Sequence, residues 1–326
     1  MTIYNLYFPR RGLIGTFQYI IKIVSKIAVE ELGVTTIHRS NYVKDAINIY
    51  IGCSFTGIME RRLTDIMWGD TVTYPFKEYV TNDTNRLWEK NYVLSKFVKD
   101  NFEKVGVKAD GIVPYPIEPE IFKVHNEWGK WEYDIMGLGR QYWDDRKNIK
   151  WVGLISEDLG LTGVVVTDRP LQQMGRLTWI RSDIVSDVGK ARLMSKAKVF
   201  VFPSSLEGLG MPVIEAMATG TPVIFGGGHA TEEYAYGFKL KPKSVQMEVG
   251  ENYWTMKAVY DYGDFKDLVT YALSMSKEEW TDYSEKSREM AIEYMTKAVK
   301  GMQKIFNGGH YKLTKLDIID YIEQNI

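Results

Sequence analysis

Val199-Phe200-Val201-Phe202-Pro203-Ser204-Ser205-Leu206-Glu207-Gly208-Leu209-Gly210-Met211-Pro212 is the stretch whose reading decides the fold. Its first four residues are an unbroken apolar run, the pattern of a central parallel strand covered on both faces. A loop of glycines and polar groups follows at the carboxyl end of that strand, where doubly wound sheets place their ligands. Pro212 falls at the start of the next helix, where a missing N–H costs nothing. Gly220 then supplies the left-handed stop before Thr221-Pro222-Val223-Ile224-Phe225 opens another strand.

This strand, loop and helix have two chemical consequences. Gly208 and Gly210, with Leu209 between them, let backbone amides approach a ligand closely, and the helix start favours phosphate. Glu207 in the loop and Glu215 on the helix flank the turn, and a carboxylate accepts paired hydrogen bonds from the vicinal hydroxyls of ribose and pyranose rings.

Outward from this point the same alternation recurs in both directions. Upstream lie a strand at 133–137, a helix at 148–159, strands at 164–167 and 178–180, and a helix at 187–196 capped by Ser186 or Asp187. The first third alternates likewise. A strand at 3–8 leads through the glycine-bearing loop Pro9-Arg10-Arg11-Gly12-Leu13-Ile14-Gly15 into a helix whose stripe is Phe17, Ile20, Ile21, Val24, Ile27, Ala28 and Leu32, and Gly33 stops it. Strands at 34–37, 46–51, 71–74 and 92–94 and a helix at 95–105 complete that half. The proline-rich segment 113–119 is its natural exit.

Strands alternating with helices mean parallel sheets covered on both faces. The expected organisation is α/β, with a Rossmann-like domain over residues 1–125, a second over 126–306, and a C-terminal helix within 307–326 packing back on the first. At 326 residues the chain suits two domains of about 150 residues each.

Lys plus Arg (41) and Asp plus Glu (42) nearly cancel, so no global field points to nucleic acid or an anionic membrane. The single cysteine, Cys53, excludes an intramolecular disulfide framework and fits a reducing, cytoplasmic setting. No apolar run reaches the roughly 18 residues of a membrane span. No Asp-x-Asp triplet, His/Asp/Glu cluster of metal-ligand spacing, Walker loop or complete Gly-x-Gly-x-x-Gly is present, which disfavours metal-dependent transfer, nucleotide hydrolysis and hydride transfer.

Pro203-Ser204, Glu207-Gly208-Leu209-Gly210-Met211-Pro212, Glu215-Ala216-Met217-Ala218 and Gly220-Thr221-Pro222-Val223 together resemble the signature of glycosyltransferase family 4. The similarity extends back through Ser186 and forward to Glu233, and more weakly to Gly139-Arg140 with Arg146-Lys147-Asn148. The resemblance implies the GT-B architecture, two Rossmann-like domains facing a cleft, and retaining, metal-independent transfer of a sugar from a nucleotide-diphospho-sugar such as a UDP- or GDP-sugar.

By the same resemblance Glu207 would hold donor-sugar hydroxyls at the reacting carbon, and Arg140 with Lys147 would meet the diphosphate alongside Gly208, Leu209 and Gly210. Their spacing is two residues longer than the family's, so Arg146 stands as a substitute for Lys147. Glu215 would hold the ribose, Val185 would lie near the nucleobase, and Gly12 and Gly15 would form the acceptor-side loop. No cofactor or metal is implied. Acceptors in keeping with the family are a saccharide, a lipid-linked sugar, a protein or a small molecule, and an oligomer is compatible with it.

The family's acceptor-domain histidine has no counterpart in the expected stretch around residues 69–78: the domain offers only His38 and His125, and neither falls there. This motivates an alternative, a degenerate nucleotide-sugar-binding protein. A same-fold epimerase or phosphorylase is a further one.

Overall fold

The computed structural model describes residues 3–7, 16–38, 43, 46–52, 66–69, 74–75, 90–104, 108–123, 125–140, 145–169, 174–249 and 253–306. They form two compact units. Unit one holds the described residues of Met1–Ile117 and Met247–Thr255 with the end of the last helix from Met295, and unit two holds those of Glu118–Gln246 and Met256–Tyr294. The division falls at Ile117/Glu118, a few residues ahead of the boundary read from the sequence, and places His125 in unit two.

Unit one contains β1 (Ile3–Tyr7), α1 (Thr16–Glu30), β2 (Thr35–Ile37), β3 (Ile47–Gly52), β4 (Ile66–Gly69), β5 (Tyr74–Pro75), β6 (Lys90–Val93), α2 (Lys96–Lys104) and β7 (Gly111–Ile112). Six of these strands make a parallel sheet in the order β2-β1-β3-β4-β6-β7. α1 buries Ile20, Ile23, Val24, Ile27 and Ala28, so Ile23 rather than Ile21 completes the apolar stripe.

Two features of this unit escape the sequence pattern. β4 is too short for its alternation to register, yet it is a central strand, and its Trp68 is fully buried with Nε1 donating to Val113 O at 2.7 Å. Tyr74 and Pro75 pair antiparallel with Trp254 and Tyr253, residues from far along the chain. The expected strand at 71–74 is described only from Tyr74 onward.

Unit two runs α3 (Pro119–Phe122), β8 (Tyr133–Leu138), α4 (Ile149–Leu159), β9 (Thr162–Thr167), β10 (Arg176–Arg181), α5 (Asp187–Ser195), β11 (Ala197–Phe202), α6 (Met211–Ala218), β12 (Val223–Gly226), a 3-10 turn at Ala230–Glu233 and β13 (Phe238–Leu240). β14 (Ser244–Val249), β15 (Tyr253–Val259), α7 (Tyr262–Ser274) and α8 (Lys277–Ile305) follow. The sheet is parallel throughout in the order β10-β9-β8-β11-β12-β13.

β11 lies at the centre of that sheet, as its unbroken apolar run predicts. Val199, Phe200 and Val201 are fully buried, each worth about 1.5–3 kcal/mol of removal from water. Val201 stands opposite Gly137 of β8 on one side and Ile224 of β12 on the other. The loops that leave the carboxyl ends of β8 and β11 are therefore neighbours, a placement set by strand order alone.

α8 belongs to unit two as far as Tyr294 and to unit one from Met295. Within unit one the Ile117 amide meets Met295 Sδ at 3.2 Å, and Tyr4 donates its hydroxyl to Phe306 O at 2.8 Å. The return of the chain to its first domain thus begins inside α8. The helix expected within 307–326 lies outside the described residues. No helix among the described residues is long and apolar enough to cross a membrane, and no group of three or more His, Cys, Asp or Glu among them is placed to hold a metal ion.

Candidate functional site

Between β8 and α4 two residues have left-handed backbone, Asp145 (φ 47°) and Asn148 (φ 49°), and they bracket Arg146 and Lys147. A non-glycine residue adopts this conformation at a cost that surrounding contacts must meet, and asparagine tolerates it best. The contacts are visible. Asn148 Nδ2 donates to Pro203 O at 2.7 Å and to Ser205 Oγ at 3.0 Å, while the Ser205 amide donates to Arg146 O at 2.7 Å. The basic loop is bolted to the loop that follows β11.

The consequence is an ion pair between Lys147 Nζ and Glu207 Oε1, with both side chains only 12% exposed. Lys147 also lies over the Phe202 ring, 5.0 Å from its centroid. Burial pushes the Glu207 carboxyl upward, but Lys147 and Arg146 more than offset it and hold the group below the ordinary glutamate value. Glu207 is therefore an anion at neutral pH, fixed by a cation on a loop sixty positions away.

Behind this pair the Ser204 carbonyl is a hub. It accepts from His229 Nε2 at 2.8 Å and from the Tyr260 hydroxyl at 2.9 Å, and Tyr260 also reaches Gly227 O at 2.7 Å. Because the carbonyl must accept, His229 carries its proton on Nε2, and Nδ1 accepts from the amide and hydroxyl of Thr231. Burial lowers the His229 pKa and keeps the ring neutral. Gly226 has no room for a side chain here, since a Cβ would run into Ser204 O and the Tyr260 hydroxyl.

Gly208, Leu209 and Gly210 are buried between Glu207 and α6, and Gly210 (φ 85°) takes the left-handed turn that starts the helix. A Cβ at Gly210 would meet Thr231 Oγ1 at 2.8 Å, so this glycine is required for space as well as backbone.

Glu215 is 2% exposed on α6, and its Oε1 accepts from Lys190 Nζ at 2.8 Å. Lys190 also meets Asp187 Oδ1 at 3.2 Å and lies 5.2 Å from the centre of the Phe122 ring. Burial raises the Glu215 pKa, opposed by Lys190. The two glutamates of the motif thus occupy different electrostatic settings, each with its own lysine.

The remaining sequence candidates separate into those placed near this cluster and those that are not. Arg140 is half-buried where β8 ends, and no hydrogen bond or ion pair among the described residues joins it to Glu207 or Glu215. Val185 is half-buried just before the Ser186 cap, which accepts from the Gly189 amide at 3.1 Å. Gly12, Gly15 and most of the stretch 69–78 lie outside the described residues. His38 is exposed, with Nε2 3.1 Å from Ser25 Oγ. The sequence names Asn148 only as part of the resembling string and gives it no role, and it does not single out Lys190 or Tyr260. Asparagine directly after a basic pair and before a helix was the available signal for the first, and nothing local announced the other two.

Residues 184–238 match the family model described as Glycosyl transferases group 1, a span that contains Glu207 and Glu215. The chain is similar to "Putative glycosyltransferase ORF313" of Acidianus filamentous virus 1 (isolate United States/Yellowstone), 29% identical over 262 residues that cover 74% of this chain and 77% of that one. It is also similar to "Putative glycosyltransferase 41" of Sulfolobus islandicus filamentous virus (isolate Iceland/Hveragerdi), 27% identical over 239 residues, 73% of this chain and 69% of that one. These matches support a glycosyltransferase.

Among solved structures it resembles the sucrose-phosphate synthase (tll1590) of Thermosynechococcus elongatus, with TM-score 0.65, 12% identity, and 94% and 98% of the two chains covered. It likewise resembles Anabaena Alr3699/HepE in complex with UDP and glucose, with TM-score 0.61, 11% identity, and 93% and 98% covered. At that identity the likeness is one of fold, and the fold is the two-sheet α/β GT-B architecture.

Proposed function

We propose that the chain is a retaining, metal-independent glycosyltransferase, similar to family 4, that moves a sugar from a nucleotide-diphospho-sugar to an acceptor. The observation that carries this reading is the locked Lys147–Glu207 pair, with Arg146 beside it, at the adjoining carboxyl ends of β8 and β11. An anion held beside fixed cations suits a reaction in which a sugar separates from a diphosphate. The carboxylate accepts from sugar hydroxyls and stabilises positive charge developing on the ring, while the cations meet charge developing on the leaving group.

In this reading Glu207 positions the donor sugar and Lys147, Arg146 and Arg140 serve the diphosphate with the backbone at Gly208, Leu209 and Gly210. Each charge-assisted contact is worth about 1.5–3 kcal/mol. Glu215 serves the ribose and Val185 the nucleobase. Gly12 and Gly15 belong to the acceptor side, and the acceptor is a saccharide, lipid-linked sugar, protein or small molecule in the cytoplasm. Glu207 is assigned as a positioning and electrostatic group and not as a nucleophile, because the family that the chain resembles transfers with retention without an established covalent intermediate.

The test offers UDP- and GDP-sugars to the full chain and measures nucleoside diphosphate release with and without candidate acceptors. Release in the presence of a chelator, with the anomeric configuration of the donor kept in the product, is the expected result. Binding without release under every acceptor tried would instead establish the degenerate binding protein that the missing acceptor histidine suggests.

A further inference from the structure

Lys190 lies outside the motif and the donor reading leaves it without a role, yet its side chain is largely enclosed. Its Nζ sits 2.8 Å from Glu215 Oε1 and 3.2 Å from Asp187 Oδ1, and its side chain keeps 16% exposure. Phe122 of α3 covers it from one side. A cation in such surroundings is costly to bury unless its partners are anions, and two carboxylates supply that.

The arrangement matters most for Glu215. A carboxyl group 2% exposed tends toward the protonated form, because water no longer stabilises its charge. A protonated carboxyl donates one hydrogen bond, whereas a carboxylate accepts from two vicinal hydroxyls at once. Whether Glu215 can receive a ribose therefore depends on what keeps it ionised.

The charged and titratable groups facing it are few. α5 offers Lys190 and Asp187, and α8 offers Tyr294, whose hydroxyl is held un-ionised by burial, by Tyr234 beside it and by Glu215 itself. Arg288 of α8 is engaged at the far end of α6, donating to Ala218 O at 2.7 Å. Asp187 opposes ionisation of Glu215, so Lys190 is the group that favours it.

We propose that Lys190 is a positioning residue for the nucleotide: it fixes one oxygen of Glu215 and holds the group as a carboxylate, and so makes Glu215 competent to accept ribose hydroxyls at neutral pH. This rests on the donor reading given above and adds to it a residue and a dependence on pH.

The experiment measures calorimetric binding of UDP and of GDP to the full chain from about pH 5.5 to about pH 8.5, for wild type, K190M, E215Q and K190M/E215Q. Methionine keeps the length and the contact with Phe122 without the charge. In K190M the affinity at about pH 6.5 should fall by about 10-fold or more, and it should recover as pH rises and Glu215 ionises unaided. An affinity equal to wild type at every pH overturns the proposal.

Should K190M fail to fold, the double variant, which removes both charges, replaces it. Against E215Q alone, a double variant that binds no more weakly at any pH supports the role, because Lys190 then acts only through Glu215, and a further loss of affinity overturns it. A wild type that binds neither nucleotide defeats the donor reading instead. The Lys190 relationship is then decided separately by the carboxyl-carbon NMR titration of Glu215, where an unchanged midpoint between wild type and a folded K190M, or any other neutral replacement at 190, refutes it.

Discussion

Lys147 and Glu207 form an ion pair with 12% exposure on each side chain, although 60 positions separate them in the chain. Neither residue reaches the other through its own element. The pair exists because β8 and β11 are adjacent and parallel, and because Asn148 ties their outgoing loops together.

Replacing Lys147 by methionine should remove the cation nearest Glu207 and one partner for the leaving group. With one charge-assisted contact worth about 1.5–3 kcal/mol, kcat/KM for nucleoside diphosphate release should fall by about 10- to 150-fold. E207Q should lower kcat with less change in donor affinity. Steady-state kinetics of both variants checks this, and wild-type rates in both would remove the pair from the site.

The two glutamates should affect stability against pH in opposite directions. Glu207 has a depressed folded pKa, so its contribution is present above the unfolded value of about 4.3 and is lost as pH falls through the lower folded value. Glu215 has a raised folded pKa, so ionising it in the folded state costs stability as pH rises from the unfolded value through the folded one. Thermal unfolding from about pH 3 to about pH 8 should show E207Q with a shallower acid loss than wild type, and E215Q with a gain relative to wild type that grows toward neutral pH.

Asn148 should be separable into its backbone and side-chain roles. N148G keeps the left-handed conformation and loses the bonds to Pro203 O and Ser205 Oγ, each worth about 0.5–1.5 kcal/mol. N148A loses the bonds and adds the left-handed penalty of about 1–2 kcal/mol. Chemical denaturation should therefore rank wild type above N148G and N148G above N148A. Nucleoside diphosphate release should follow the same order, because the latch also presents Lys147.

Gly226 should tolerate no side chain. G226A drives a methyl group into Ser204 O and the Tyr260 hydroxyl, and overpacking of this kind costs about 1–3 kcal/mol. Y260F, which removes the hydroxyl between Ser204 O and Gly227 O without adding volume, should cost about 1–2 kcal/mol. Urea unfolding of the two variants measures the difference. G129A is the control, since its Cβ meets nothing within 4 Å and only the left-handed backbone (φ 76°) opposes it.

Most of unit two was legible in the sequence because its signals are local. The apolar run at Val199 to Phe202, the stop at Gly220 and the cap at Ser186 each specify structure within a few residues, and each element forms where it was expected. β4 was not legible, since four residues carry too little alternation and its central place comes from neighbours on both sides. The same holds for β5, whose partner strand lies beyond the second sheet in sequence.

By itself the sequence determined the parallel α/β class, the strand, glycine loop and helix around Glu207, and the residue types that suit a nucleotide sugar. Periodicity and turn chemistry act over a few residues and need no fold to be read. Only the tertiary structure decided that Glu207 is matched to Lys147 and Glu215 to Lys190. Charge pairing depends on distances of a few ångströms between side chains from different elements, and strand order and helix packing, which no local pattern encodes, set those distances.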